Sequence, residues 1–230
     1  MFKNECDLKR CFLCSYCLPD WLPAVAANRK NIVVKKGQQL FSEGDPVTGI
    51  YFIYSGIVKV HKRWGDDKEL ILRFAKQGDI TGHMGLGGDA VYPVSATAIE
   101  AGIICYVAID FFESTLNINH QLARQLIGIL ANDLQESEKR MRNLAHMPVK
   151  GRVAQALLTL KAQFGTNDEG HLIIELTRQD LASFTGAAYE SLFRVMNELG
   201  DEKCISAKGK SISITNEQAL LNLAQHTELS

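Results

Sequence analysis

From about Ile32 to Phe112 the chain alternates short apolar runs with glycine-centred breaks. The runs are Gln39–Phe41, Gly49–Ile53, Gly56–Val60, Leu70–Phe74 and Gly102–Ile109. Turn clusters such as Glu43-Gly44-Asp45-Pro46, Gly65-Asp66-Asp67 and Gln77-Gly78-Asp79 separate them. Breaks every ~8–12 residues predict several short strands in a compact antiparallel roll or barrel. At Asn119 the pattern changes. Ile127, Leu130, Leu134, Ser137, Met141 and Leu144 recur at alternating steps of three and four. That is the spacing of a coiled-coil seam, and equally of one face of an amphipathic helix packed on its own domain. Pro148 stops or kinks this helix.

Beyond it, Val149–Phe164 places Val153, Ala156, Leu157, Leu160 and Phe164 on one helical face, and His171–Leu176 reads as a short strand. Thr177-Arg178-Gln179-Asp180 has the capping-box pattern, in which the threonine oxygen and the carboxylate satisfy free amides at a helix start. Gly186 interrupts that helix after two turns, and another begins near Ala188. Cys204–Ala207 and Ser211–Thr215 alternate like strands around Lys208-Gly209-Lys210. Helix, helix–turn–helix and hairpin make a winged helix. The expected fold is therefore α+β: an N-terminal antiparallel β-roll, a long dimerisation helix and a C-terminal winged helix–turn–helix. The corresponding boundaries are a cysteine-rich segment 1–30, the roll 31–116, the long helix 117–147 and the winged helix 148–230.

Composition narrows the class without deciding it. The 230 residues are 46% hydrophobic and 22% charged with a formal net charge of −1, close to the soluble globular average. The longest uncharged apolar stretch, around 101–109, is far too short for a bilayer. Met1–Arg10 has no apolar core of a signal peptide, so a cytoplasmic location is expected. Neither convergent histidines and carboxylates on the roll strands nor a nucleophile with its base is visible, which argues against an enzyme.

Local charge is more informative. In the second helix of the helix–turn–helix, Leu192, Val195, Met196 and Leu199 point inward, leaving Tyr189, Glu190, Phe193 and Arg194 outward. An exposed arginine there can bond a guanine edge through two hydrogen bonds, and a glutamate can accept from cytosine N4. The alternative is that Glu190 and Arg194 form an i,i+4 surface pair. Lys139, Arg140, Arg142, Lys150, Arg152 and Lys161 form a stretch without an acidic residue, able to track phosphates or simply to solvate a helix face.

Taken in order, these segments resemble the CRP/FNR family of bacterial transcription regulators, in its FNR-like branch, along almost the whole chain. Gly37–Phe41, Gly44-Asp45, Ile50–Ile53 and Gly56–Lys59 look like the family's cyclic-nucleotide-binding-type roll. Leu176–Ala182, Gly186 and Glu190-Ser191-Leu192-Phe193-Arg194 resemble its helix–turn–helix, and Lys208-Gly209-Lys210 its wing. The resemblance implies a homodimer joined through Ile127, Leu130, Leu134, Met141 and Leu144 and bound to a near-palindromic double-stranded DNA operator, with RNA polymerase as a further partner. It implies DNA contacts from Thr177, Arg178, Tyr189, Glu190, Ser191, Phe193, Arg194, Lys208 and Lys210, and a half-site core containing GA. Two positions depart from the family: Ala188 stands where serine or threonine is common near a phosphate. Phe193 replaces a small or hydroxyl residue, which would place a ring against a thymine methyl.

The expected signal follows from two further comparisons. Family members that bind cyclic AMP carry Gly-Glu in one loop and Arg-Ser about ten residues later; here the stretch reads Gly82-His83-Met84-Gly85, then Val94-Ser95-Ala96. No Lys or Arg occurs from Gln77 to Ala123, and a buried phosphate without a cation is costly, so cyclic AMP is not expected as a ligand. The cysteines suggest a different cofactor. Cys11, Cys14 and Cys17 have a spacing that lets three thiolates cap a [4Fe–4S] cluster. Cys105 matches the roll cysteine that completes the cluster of FNR-type oxygen sensors, with Cys6 as the alternative ligand. A redox- or oxygen-responsive regulator, whose cluster controls dimerisation and operator binding, is the resulting expectation. A zinc site from Cys6, Cys11, Cys14 and Cys17, a thiol switch, or a small organic effector in the roll remain open beside it.

Overall fold

In a computed structural model, residues 11–65 and 68–225 are described. The chain divides into two units, Met1–Lys62 with Leu72–Gln135, and Arg63–Ile71 with Glu136–Ser230.

The described part of the first unit opens with α1 (Phe12–Tyr16), a tight turn at Pro19–Trp21 and α2 (Leu22–Asn28). Two four-stranded antiparallel sheets follow. One has the order β1 (Arg29–Val34), β8 (Gly102–Ala108), β3 (Gly49–Ser55), β6 (Ile80–Thr81). The other has the order β2 (Gln39–Phe41), β7 (Ser95–Ala98), β4 (Val58–Trp64), β5 (Lys68–Ala75). The roll expected from the glycine-punctuated runs therefore forms, with the strands close to those runs.

Strand periodicity explains why β3 is so continuously apolar: both of its faces are covered. Ile50 and Phe52, with Cys105 and Val107 of β8, join one core against Leu13, Val25, Phe112 and Leu122. Tyr51, Ile53 and Ile104 face the other way, into the roll interior with Phe41, Val58, Val60, Tyr92 and Ala96. There the Phe41 and Tyr92 rings stack with centroids 4.0 Å apart. The buried Tyr92 hydroxyl donates to the Gly49 carbonyl at 2.7 Å and accepts the Thr48 and Gly49 amides, so it is fully used.

After α3 (Ile109–Ile118), helix α4 runs unbroken through His120–His146, ending within one residue of the expected position. The second unit continues with α5 (Val149–Phe164), α6 (Arg178–Thr185), α7 (Tyr189–Asp201), a hairpin of β9 (Ile205–Lys208) and β10 (Ser211–Ile214), and α8 (Glu217–Gln225). The strand expected over His171–Leu176 does not form; only isolated bridges to Ser213 and Thr166 are made. The cause is local. The Asn167 side chain accepts the Glu169 and His171 amides at 3.1 and 2.9 Å and curls the chain before a ladder can extend. No helix of the described residues is long and apolar enough to cross a membrane.

Candidate nucleic-acid interface and the expected metal centre

Helix α6 starts as its sequence requires: the Thr177 hydroxyl accepts the Asp180 amide at 3.0 Å and donates to the Asp180 carboxylate at 2.6 Å. It ends at Gly186, whose φ of 62° is left-handed and favours glycine. The carbonyls freed at that end are gathered by two arginines. Arg152 donates to Thr185 at 3.0 Å and Gly186 at 3.2 Å, and also to Met147 at 2.9 Å. Arg140 donates to the Phe184 carbonyl with its guanidinium 4.9 Å from that residue's ring centroid, and burial lowers its pKa to about 10. The planar guanidinium can serve several carbonyls at once, and its charge suits a helix C-terminus.

These contacts change the reading of the basic stretch. Arg140 and Arg152 fix the turn between α6 and α7. Lys150 pairs with Glu202 at 2.6 Å, Lys161 with Glu217 at 2.6 Å, and Lys139 with Glu136 at 2.7 Å. A continuous phosphate track along this stretch is not what the fold builds. The sequence contained little local signal of it, because two of the three carbonyls that Arg152 serves, Thr185 and Gly186, lie more than thirty positions away.

On α7 the inner residues Leu192, Val195, Met196 and Leu199 are all buried. Tyr189, Glu190, Phe193 and Arg194 are exposed, and Ser191 is half-buried. Arg194 leans 3.7 Å from Glu198, not onto Glu190, which leaves the Glu190 carboxylate outside that pair. Ala188 precedes α7 and gives it no side-chain cap. Arg178, at the start of α6, is half-buried with one guanidinium nitrogen unbonded, while Lys208 and Lys210 stand exposed at the hairpin tip.

Along α4 the residues of the expected seam lie at the surface of the single chain. Ile127, Leu134 and Met141 are 61–67% exposed, with Leu130 and Leu144 on the same stripe at 38% and 36%.

The expected metal centre is not assembled among the described residues. Among the described residues, no group of three or more His, Cys, Asp or Glu side chains is placed to hold a metal ion. Cys11, Cys14, Cys17 and Cys105 do enter one cluster, but as core residues among Leu13, Val25, Phe52 and Phe112, and as thiols rather than disulfides. Burial pushes the Cys17 thiol up, and its Sγ donates to the Asn119 side chain at 3.4 Å. Metal ligation needs thiolates, which this apolar setting disfavours. The described cysteines therefore do not fit a [4Fe–4S] cluster or three corners of a zinc site, which overturns the expectation of redox- or oxygen-responsive control through a cluster. Cys6 lies outside the described residues.

Sequence reasoning also missed a charge cluster in the first unit. His83, in the short helical turn 83–86, is 1% exposed and hydrogen-bonds Asp133 of α4 at 3.0 Å. Arg73 of β5 donates to the Ile80 carbonyl at 2.6 Å and acts electrostatically on both His83 and Asp133. A cation thus stands beside the cation-free stretch 77–123, supplied by a neighbouring strand. Burial holds His83 below the ordinary histidine value of 6.5, outweighing the Asp133 hydrogen bond. The unfolded chain then protonates before the folded one, so stability present above about pH 6.5 falls as pH drops through the folded pKa. Thermal unfolding followed from pH 7 to about pH 5.5 should show a falling midpoint, flattened in His83→Gln, which keeps a donor but does not titrate. An unchanged slope in the variant would remove His83 from the account.

With this geometry in hand, residues 31–119 match the model of the cyclic nucleotide-binding domain and residues 151–223 that of the Crp-like helix–turn–helix domain. The cAMP-activated global transcriptional regulator CRP of Salmonella typhimurium is 32% identical over 181 residues, 76% of this chain and 84% of that one. The chain belongs to the CRP/FNR family. FNR-like members are similar too: the fumarate and nitrate reduction regulatory protein of Vibrio cholerae is 25% identical over 224 residues, covering 93% of this chain and 88% of its own. FixK2 from Bradyrhizobium japonicum shares the fold, with a TM-score of 0.75 at 24% identity over 85% of this chain and 96% of that one. Within the CRP/FNR frame, α6 and α7 are the helix–turn–helix and the β9–β10 hairpin is the wing.

Proposed function

We propose that this CRP/FNR protein is a homodimeric transcription regulator that binds a near-palindromic DNA operator. The observation that carries the reading is the outer face of α7: Glu190 and Arg194 stand exposed on the second helix of a Crp-like helix–turn–helix whose inner face is fully buried. In this reading α7 lies in the major groove, with Arg194 on a guanine edge and Glu190 on cytosine N4. Thr177, Arg178 and Ser191, with Lys208 and Lys210 of the wing, face the backbone and fix register without reading sequence. Ile127, Leu130, Leu134, Met141 and Leu144 form the seam between protomers, which sets two α7 helices against two half-sites. RNA polymerase is the partner such a regulator addresses at a promoter.

Cyclic AMP has no part in this proposal. The position at which cyclic-AMP-binding relatives carry glutamate holds His83, whose ring is turned to Asp133, and Arg73 is engaged by Ile80. The test is selection of duplexes from a random pool by the full chain, with and without cyclic AMP. The expected result is an inverted repeat with half-site centres about 10 base pairs apart or a multiple of that, bound equally in both conditions. Failure to enrich any sequence would overturn the DNA-binding reading, and enrichment only with cyclic AMP would overturn the effector reading.

A further inference from the structure

Helix α7 presents two rings to solvent on its outward face. Phe193 is 52% exposed and Tyr189 44%. They are four residues apart and so share one stripe, about 6 Å apart along the axis. Glu190 and Arg194 form the adjacent stripe with the same spacing. Neither ring can turn inward, because Leu192, Val195, Met196 and Leu199 already fill the inner face. The patch is continuous with the charged side chains assigned to base edges, so whatever surface those side chains approach must also cover the rings.

The major groove offers a ring one apolar group on its base edges, the C5 methyl of a pyrimidine. We propose that Tyr189 and Phe193 form a methyl-reading stripe, each packing on the C5 methyl of a thymine in every half-site. The inference rests on the DNA-binding reading above and deepens it: Glu190 and Arg194 read polar edges, and the rings read methyls beside them. A separation of about 6 Å along the helix exceeds the ~3.4 Å base step, so the two rings address different base pairs.

The experiment measures full-chain affinity for its selected operator with each thymine replaced in turn by uracil, which deletes the methyl and leaves the pairing edge intact. The expected result is two sensitive positions per half-site, each losing about four-fold, the equivalent of one buried methyl group. Phe193→Ala should abolish the sensitivity at one position and keep it at the other, and Phe193→Leu should restore it. An operator bound tightly but indifferent to every uracil substitution would overturn the inference while leaving the DNA-binding reading intact. Sensitivity that survives both Phe193→Ala and Tyr189→Ala would assign methyl reading to other residues and overturn it too. Stronger binding when the operator's cytosines carry a C5 methyl would identify modified cytosine as the methyl source and overturn the thymine assignment. If no sequence is selected at all, the underlying reading fails and this one with it.

Discussion

Leu134→Glu is expected to convert the dimer to a folded monomer and to lower operator affinity by about 1,000-fold or more, to the non-specific level. Leu134 is 61% exposed in the protomer, so the substitution removes nothing from the protomer's own core. In the proposed two-fold seam the residue would meet its own copy, and glutamate there would place two carboxylates together in an apolar interface. Such charges lose hydration without gaining a partner, a cost of several kcal/mol. A single protomer reaches one half-site, and one half-site gives too little specific binding to compete with bulk DNA. Sedimentation velocity reads the first effect and operator titration the second. Asn132→Glu, exposed on the same helix away from the 127–144 stripe, is the control and should leave both unchanged. A Leu134→Glu variant that still sediments as a dimer would move the interface elsewhere.

The second large effect concerns Arg194. Its replacement by alanine should cost about 1–3 kcal/mol on the selected operator and relax the preference for guanine at one position of each half-site. The side chain is 74% exposed and leans on Glu198 at 3.7 Å, an i,i+4 surface contact that contributes only about 0.3–0.5 kcal/mol. Little stability is therefore at stake, and the loss should appear in binding rather than in folding. Lys208→Ala supplies the contrast: it should weaken all sequences alike and reduce the salt slope by about one. Equal weakening of specific and random DNA by Arg194→Ala would make that residue a phosphate contact.

Much of this was legible in the order of residues because it depends on short-range periodicity. The α4 stripe, the buried and exposed sides of α7, the Thr177 cap and the Gly186 turn each follow from contacts within one or two helical turns. The cysteines were misread for a related reason. Their spacing along the chain fits a cluster, but ligation depends on the protonation state that surrounding side chains permit. Most of those neighbours, Phe52, Phe112 and Leu122, come from elements far from Cys11–Cys17 in sequence and make the site an apolar core.

Sequence alone therefore determined the family and most of the element types, though not the 171–176 segment, since propensity, capping and amphipathic period act locally. Tertiary structure decided which charges are available. It brought Arg73 of β5 beside His83 and Asp133, spent Arg140 and Arg152 on the carbonyls closing α6, and turned four thiols into core residues. Desolvation and long-range hydrogen bonding set those outcomes, and both are properties of packed neighbours that spacing along a chain does not encode.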